Sequence, residues 1–455
     1  MDCSCIRQTE LPGTSRLFAD FTYHPDRVSA FYPWATHFQT DGDAFPQAAR
    51  QINFPDDRRA ALVAALSEQN GGSPLLERLA RPGTVAVVTG QQVGFLSGPA
   101  YTIYKALTAV RLAERLTARG IEAVPVFWLA TEDHDFAEVN HAWVYNAERQ
   151  PARLECVANP ESNQPVGGIV LGSLDEGALS AALKGLPFAD EVVKLAVESY
   201  AAGRAMGQAF RNLVSAILGE HKMLYVDPLC ESIRRLAAPI LHDAVAAEAQ
   251  LKQSLLDRNK ELTDAGYHAQ VHVDAKTSLV FLLENGRRQT LRRQNGNYIA
   301  GGRIIAPAEI ESRADHLSPN ALLRPVVQDF ILPTIAYVGG PAELAYLAQS
   351  EVIYRQLLGR QPIALHRAGF TVFDSHSRKL LERYNLCLPD FFHGEESLRA
   401  KIAARLVPSS LQSLLAETKE TANSAVRRLA EELERFDPTL AKAAEIGRAS
   451  CRERV

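Results

Sequence analysis

Two polar segments that follow apolar runs carry residues that could do chemistry. The segment "TGQQVG" begins at Thr89, and "TEDHDFAEVNH" begins at Thr131. A histidine flanked by two acids suits proton transfer, because the neighbouring charges raise its basicity. We therefore predict that His134, held by Asp133 or Asp135, is a general base. We also predict that residues of these two segments, and of the helix that follows the first segment, bind substrate. They are Thr89, Gly90, Gln91, Gln92, Gly98, Tyr101, Lys105, Glu132, Asn140 and His141.

The same residues also allow structural interpretations. Gly94 and Gly98 could serve only a turn and close strand–helix packing. Tyr101 and Lys105 could be ordinary helix residues, and the acidic cluster around His134 could cap a helix, because acidic side chains favour a first turn. Carboxylates and imidazole could also bind a metal, but no second His/Cys cluster has ligand spacing, so we predict no metal.

A third polar segment, "LSPNALLRPVVQDFILPTIAYVGGPAELAY", begins at Leu317. Arg324 could bind a carboxylate through two hydrogen bonds, or it could form a structural ion pair with Asp329. Together with Lys105, it is our candidate to neutralise carboxylate or phosphate charge. Asn320, Arg324, Gln328 and Asp329 have the spacing of one helix face. The predicted binding residues of this segment are Asn320, Arg324, Gln328, Tyr337, Gly339, Gly340 and Glu343.

The elements around these segments indicate an α/β fold with an open, mostly parallel sheet. A strand over 84–89, a helix over 99–119 and a strand over 124–131 form a strand–helix–strand unit, which favours parallel pairing. Ligands of such sheets bind at the carboxyl ends of the strands, beside helix N-termini. We predict that the turn 89–92 and the helix start at Pro99 hold a carboxylated small substrate or a nucleotide phosphate. Further strands are predicted over 223–228, 334–340 and 362–369.

Two further regions have a different pattern. In "TSLVFLLENGRRQTLRR", from Thr277 to Arg293, two β-like runs flank an Asn-Gly pair, which predicts a hairpin in a small β-containing insertion. From Glu396 to Glu434 the chain is rich in Ala, Leu, Glu, Lys and Arg. That composition predicts long helices, either a coiled coil interrupted near 407–410 or an amphipathic helix on the core.

Composition narrows the class of protein. The 455 residues carry 49 Lys plus Arg against 53 Asp plus Glu, a net charge of -4, which gives no reason to expect nucleic acid or an anionic membrane as partner. The N-terminus lacks the apolar core of a secretion signal, and no apolar run is long enough to cross a bilayer. The six cysteines are scattered without a CxxC pair. We therefore predict a cytoplasmic protein.

The C-terminal segment "EIGRASCRERV", 445–455, resembles the in-frame translation of a common sequencing adapter. We interpret these residues as an artefact outside the fold. On this interpretation the natural chain continues beyond Ala444, and a short polar tail is the alternative.

The three quoted blocks, "TGQQVGFLSGPAYTIYKALTA", "VPVFWLATEDHDFAEVNH" and the segment from Leu317 to Tyr346, resemble those of the BshC family of bacillithiol biosynthesis. The resemblance implies a Rossmann-like core over 1–374, with insertions at about 145–215 and 265–305. It also implies an α-helical coiled-coil arm over 375–444 that is used in homodimerisation.

The implied activity is the addition of cysteine to glucosamine-malate to give bacillithiol. The family's core is similar to class I nucleotidyltransferases, yet this sequence has no HxGH, KMSKS or GxxxxGK[ST] motif. The route by which the cysteine carboxylate is activated, and the use of an adenine nucleotide, are therefore open. The alternatives are a nucleotidyltransferase-like enzyme acting on another small acceptor and a non-catalytic dimeric nucleotide-binding scaffold.

Overall fold

The computed structural model describes residues 5–34, 44–274 and 276–437. The chain divides into two units, one formed by Thr14–Phe370 and the other by Met1–Gly13 with Thr371–Val455. The strands are β1 (Val85–Gln92), β2 (Ala123–Ala130), β3 (His141–Tyr145), β4 (Pro151–Glu155), β5 (Leu224–Val226), β6 (Thr277–Glu284), β7 (Arg287–Gln294), β8 (Asn297–Ala300), β9 (Arg303–Ile305), β10 (Leu317–Pro319), β11 (Thr334–Gly339) and β12 (Ile363–His366).

The helices alternate with these strands in the first unit and form all the regular structure described after residue 370. They are α1 (Arg16–Tyr23), α2 (Ala44–Gln51), α3 (Asp56–Asn70), α4 (Pro74–Ala80), α5 (Tyr101–Ala118), α6 (Phe136–Val139), α7 (Glu176–Leu183), α8 (Ala189–Ser199), α9 (Met206–Leu218), α10 (Glu231–Ala246), α11 (Glu248–Asp264), α12 (Pro307–Glu311), α13 (Arg324–Ile331), α14 (Pro341–Leu357), α15 (Ser375–Arg383), α16 (Glu395–Leu406) and α17 (Ser409–Phe436).

The central sheet of the larger unit has five parallel strands in the order β12-β11-β1-β2-β5. Numbered by their order along the chain, these strands lie as 3-2-1-4-5 across the sheet, which is the doubly wound arrangement. Val85 to Val88 are buried on both faces of β1, as is usual for a central parallel strand. The predicted α/β class, the parallel strand–helix–strand unit and the three further strands are confirmed.

The predicted glycine turn at 89–92 is wrong. Strand β1 continues to Gln92, which pairs with Ala130, and α5 begins at Tyr101 rather than at Pro99. Gly90 allows the two strands to remain paired, because a Cβ there would lie 2.9 Å from the carbonyl oxygen of Trp128. The segment is therefore an extended strand end and not a phosphate-binding turn.

The turn between β1 and α5 lies further along, at Phe95–Ser97, and ends at Gly98 with φ +65°. A Cβ on Gly94 would lie 3.0 Å from the Cα of Gly98. The structural interpretation of these two glycines therefore holds, since close approach and positive φ both favour glycine.

A second sheet, in the order β10-β6-β7-β8-β9, is antiparallel throughout. Asn285 and Gly286 join β6 to β7 with φ of 52° and 73°, which fits the two-residue hairpin turn that the Asn-Gly pair predicts. This sheet lies between β5 and β11 in the chain, within the larger unit. The insertion bounds of about 145–215 and 265–305 stay a prediction.

The smaller unit contains α15, α16 and α17. Helices α16 and α17 are separated at Val407 and Pro408, which confirms the predicted interruption. Leu411, Leu414 and Leu429 of α17 are exposed. Among the described helices of the whole chain, none is long and apolar enough to span a membrane. The segment 445–455 lies outside the described residues.

Candidate active site

A cavity of about 740 Å³ opens at the carboxyl ends of the parallel strands. It lies where β1 borders β11, the point at which the strand order reverses, which is the usual ligand position in doubly wound sheets. The predicted residues that line it are Gly90, Gln91, Gln92, Tyr101, Lys105, Glu132, Asp133, His134, Asn320, Arg324, Tyr337, Gly340 and Glu343.

One part of the cavity is built around Lys105, which is only 2% exposed on α5. Its Nζ donates to the carbonyl oxygen of Gly90 and to Oε1 of Gln91, both at 2.8 Å, and forms an ion pair with Glu343. Burial lowers the pKa of Lys105, and the positive charges of Arg324 and Arg367 act in the same direction, whereas Glu343 opposes them. Lys105 is thus a buried cation with satisfied hydrogen bonds rather than a solvated amine.

Arg324 is fixed by tyrosines rather than by an acid. Its Nη2 donates to the hydroxyl of Tyr346 at 2.7 Å, and its Nη1 donates to Gln328 at 3.2 Å. The hydroxyl of Tyr337 donates to Oε1 of Glu343 at 2.6 Å and accepts a weaker contact from Arg324 at 3.4 Å. Burial raises the pKa of both tyrosines, so their hydroxyls stay neutral. The ion pair of Arg324 with Asp329 that the sequence also allowed does not form.

Arg367, which the sequence did not single out, lies just beyond β12 and lines the same part of the cavity. Its guanidinium carbon is 5.0 Å from the ring centroid of Tyr101, and its Nη1 donates to the carbonyl of Ala368 at 3.1 Å. Its Nε is buried without a hydrogen-bond partner. We call Lys105, Arg324 and Arg367, grouped around Glu343, the cationic end of the cavity.

The other part of the cavity follows β2. Gln92 Nε2 donates to Asp133 at 2.7 Å and to Glu138 at 2.9 Å. One amide group therefore holds two carboxylates close together. We call Glu132, Asp133 and Glu138, with the neighbouring His134 and Arg288, the acidic end.

Arg288 was also missed, because it lies on the hairpin strand β7, far along the chain from β2. It donates to Ser318 at 3.1 Å and to the carbonyl of Pro319 at 2.8 Å, and its Nη1 lies 3.7 Å from Oδ1 of Asp133. The same nitrogen is 3.4 Å from Nδ1 of His134. The hairpin thus brings a buried guanidinium against the acidic end.

Glu132 is the most perturbed acid of this group. Burial raises its pKa to about 7, although Arg288 and Arg234 act in the opposite direction. The carboxyl of Asp227 lies beyond it at the end of β5 and raises the pKa of Glu132 further. A carboxyl with this pKa can both hold and release a proton near neutral pH.

The twin glutamines connect the two ends. Gln91 accepts from Lys105 at the cationic end, whereas its neighbour Gln92 donates to Asp133 at the acidic end. Adjacent residues of a strand point in opposite directions, so one strand end can serve both. The strand order places β11 and β12 on one side of β1, and β2 and β5 on the other.

Several predicted residues do not line the cavity. Thr89 is fully buried and donates to the carbonyl of Val338 at 2.8 Å, so its hydroxyl is used within the sheet. Gln328 is buried and bonded to Arg324 and Asp329. Asp135 caps α6, accepting from the N–H of Glu138 at 3.3 Å, as the structural interpretation of the acidic cluster proposed.

The remaining predicted residues that do not line the cavity make local contacts elsewhere or shape the backbone. Asn140 and His141 contact each other at 3.0 Å, where β3 begins. Gly98 belongs to the turn, and the carbonyl of Gly339 accepts from the N–H of Arg367 at 2.9 Å. The shared helix face predicted for Asn320 and Arg324 is wrong, because α13 begins at Arg324. Asn320 instead precedes the helix, and its Oδ1 accepts from the N–H groups of Leu322 and Leu323 at 3.0 Å.

Within the described residues, no group of three or more His, Cys, Asp or Glu side chains is arranged to hold a metal ion. The acidic end instead pairs its carboxylates with an amide and a guanidinium. Its chemistry is that of a site for a cationic or proton-releasing group.

Comparison with known families is decisive for the identity of this chain. The family model described as "Bacillithiol biosynthesis BshC, N-terminal Rossmann-like domain" matches residues 1–368. The model described as "Bacillithiol biosynthesis BshC, C-terminal coiled-coil domain" matches residues 370–453. The chain belongs to the BshC family. The predicted Rossmann-like core and C-terminal coiled-coil region are thereby confirmed.

BshC relatives match along most of this chain. A protein of Solibacter usitatus is 54% identical over 443 residues, covering 97% of this chain and 84% of the relative. A protein of Koribacter versatilis is 36% identical, and the match covers 99% of this chain and 86% of the relative. A protein of Natranaerobius thermophilus is 28% identical, and the match covers 93% of this chain and 81% of the relative. Each bears the name "Putative cysteine ligase BshC".

Proposed function

We propose that this protein is a cysteine ligase that adds L-cysteine to glucosamine-malate and so forms bacillithiol. The observation that carries the proposal is a single cavity with a cationic and an acidic end, in a chain of the BshC family. Glucosamine-malate has matching groups, since its malyl part is a dianion and its sugar carries an amine. Family membership favours this function over nucleotidyl transfer to another acceptor and over a non-catalytic scaffold.

The reaction needs a neutral amine at the acidic end. The amine nitrogen loses a proton and bonds to the carboxyl carbon of cysteine, and one carboxyl oxygen leaves. A free carboxylate is a poor acyl donor, so that oxygen leaves attached to an activating group. An adenine nucleotide is one candidate for the source of that group, and the assay is therefore run with and without ATP.

Two groups of the acidic end are candidates to accept the amine proton. His134 lies 3.8 Å from Asp133 through Nδ1, and this carboxylate would stabilise the imidazolium that forms. Arg288 lies closer to the same nitrogen, at 3.4 Å, and a hydrogen bond from Arg288 to Nδ1 would occupy the lone pair of the neutral imidazole. His134 can therefore accept the amine proton on Nε2 only in the tautomer in which Nδ1 carries its hydrogen toward Asp133. Glu132, with its pKa near 7, is the second candidate.

The function is tested by direct measurement of bacillithiol formation from cysteine and glucosamine-malate. The variants His134→Ala, Gln91→Ala and Arg324→Ala should each lower turnover, His134→Ala by about 10²–10⁴-fold if it is the base. Arg111→Met, an exposed change on α5, is the control. Wild-type rates in all three variants would exclude this cavity as the active site.

A separate assay identifies the proton acceptor. The pH profile of kcat in Glu132→Gln should lose its limb near pH 7 if Glu132 is the acceptor, whereas an unchanged profile would exclude Glu132 from that role. Catalysis by Glu132 would correct the assignment of the base without changing the reaction.

We further propose that the protein acts in the cytoplasm as a homodimer joined through its helical arm. The exposed leucines of α17 and the match to a coiled-coil family domain support this assembly. Light scattering during size-exclusion chromatography should give twice the monomer mass of 49.9 kDa. The triple change of Leu411, Leu414 and Leu429 to Gln should give the monomer mass, and a monomeric wild type would refute the assembly.

A further inference from the structure

We infer that Arg367 makes the cationic end selective for a dicarboxylate, binding one carboxylate while Lys105 and Arg324 face the other. The malate identity of the ligand rests on the proposed function, whereas the selectivity for two carboxylates rests on the charges of the cavity. This subsite would reject sugar acceptors that carry a single carboxylate.

The charge balance of the cationic end favours a dianion. Three cations, Lys105, Arg324 and Arg367, surround one carboxylate, Glu343, which leaves an excess of two positive charges. Among the described residues, neither Arg324 nor Arg367 has a carboxylate within 4.0 Å to which it forms an ion pair. A bound dianion would neutralise this excess, whereas a monoanion would leave one charge uncompensated in a partly buried site.

Arg367 has unused hydrogen-bonding capacity. Its Nε is buried without a partner, and its side chain's hydrogen bond within the described structure is made by Nη1 to its neighbour Ala368. A buried guanidinium N–H without a partner is costly, and a ligand carboxylate would satisfy it. Packing against the Tyr101 ring holds the group in place beside the cavity.

The other two cations of this end, Lys105 and Arg324, are already held in position by neighbouring groups. Lys105 is held by Gly90, Gln91 and Glu343, and Arg324 is held by Tyr346 and other hydroxyl and amide groups. These two cations contribute positive electrostatic potential to the cavity. Their side chains are already ordered, so they lose little conformational freedom when a ligand binds. Arg367 is therefore the residue whose removal should most affect the discrimination between one and two carboxylates.

The test is calorimetric binding of L-malate and of L-lactate, which lacks the second carboxylate, to the full chain. Wild type should bind malate at least about tenfold more tightly than lactate. Arg367→Met should weaken malate binding by about 10–100-fold, as expected for loss of a charged hydrogen-bonded contact, and change lactate binding less than threefold. Arg367→Lys should recover part of the malate affinity, and Arg111→Met should match wild type.

Equal affinity of wild type for malate and lactate would overturn the inference, as would an unchanged malate affinity in a folded Arg367→Met. Pyrophosphate is tested in parallel, and its binding in place of malate would show a phosphate site instead. Because binding is measured without turnover, the two proposals fail separately. Malate selectivity without bacillithiol formation would refute only the ligase function, and ligase activity without malate selectivity would refute only the subsite.

Discussion

The two ends of the cavity differ in how their buried ionisable groups, Lys105 and Glu132, are surrounded. At the cationic end, Lys105 is fully enclosed and has an acid, a carbonyl and an amide as partners. At the acidic end, Glu132 is also buried, and burial outweighs its nearby arginines, so its pKa rises to about 7. Burial acts against the charged form at both ends, because it also lowers the pKa of Lys105 despite Glu343. The two ends differ in that the ammonium of Lys105 is held by three partners, whereas the carboxyl of Glu132 titrates near neutral pH.

This difference assigns different tasks to the two ends. The hydrogen-bonded cations of the cationic end are suited to binding, because their donors are already held in place when a substrate arrives. The titratable acid beside His134 and Asp133 is suited to the chemical step. Three predictions test the contrast, from the largest expected effect to the smallest.

The largest effect is expected from Lys105→Met. This change removes the partner of Glu343 and leaves the buried carbonyl of Gly90 without its donor. Loss of one member of a buried ion pair costs about 3–5 kcal/mol, so urea unfolding should show a free energy of unfolding lower by that amount. Lys260→Met breaks an exposed pair with Asp264 and should leave stability unchanged. Similar losses in both variants would contradict the special position of Lys105.

An intermediate effect, visible only as a pH dependence, is expected from Glu132→Gln. The folded state keeps this proton to about pH 7, whereas the unfolded chain releases it near 4.5. The stabilisation that the proton gives is therefore complete below about pH 4.5 and is lost as the pH rises toward 7. Glutamine cannot titrate, so the variant should gain about 3 kcal/mol relative to wild type between pH 4.5 and 8.

The measurement for this second prediction is urea unfolding of both proteins at intervals of pH and constant ionic strength. Subtracting one curve from the other removes the contributions of the other titrating groups that the two proteins share. Parallel curves over the whole range would mean that Glu132 ionises in the folded protein as it does in water, and that the acidic end holds a fixed charge.

The smallest effect is expected from Tyr346→Phe at the cationic end. The change removes the 2.7 Å hydrogen bond from Arg324, and a hydrogen bond to a charged group is worth about 1.5–3 kcal/mol. Only part of that amount is lost, because Tyr337 stays in contact with Arg324. The KM for glucosamine-malate should rise by about 5–20-fold with kcat nearly constant, because binding and not the chemical step is affected.

Tyr354 provides the matched control for this third prediction. It lies on the same helix, α14, but its hydroxyl donates to buried Asp329, and it does not line the cavity. Tyr354→Phe should lower the free energy of unfolding without raising KM. A fall of kcat in Tyr346→Phe would show that the cationic end takes part in the chemical step after all.

The amino-acid sequence by itself determined much of the local structure and the family. Apolar runs predicted the parallel strands, an Asn-Gly pair predicted the hairpin, and polar residues after two apolar runs marked the edge of the sheet where the cavity lies. These features depend on neighbouring residues, whose pattern can be read along the chain. The three blocks that resemble BshC also predicted the family that the comparisons confirm.

Only the tertiary structure decided which side chains meet. Arg288 reaches Asp133 because a hairpin from a distant part of the chain lies against the segment that follows β2. Arg367 reaches Tyr101 because β12 is placed two strands from β1. The prediction of a turn at Gln91 and Gln92 was wrong because it also depended on a distant segment. Pairing with β2 extends strand β1 beyond the apolar run. Strand pairing and burial depend on contacts between distant segments, so no local pattern could specify them.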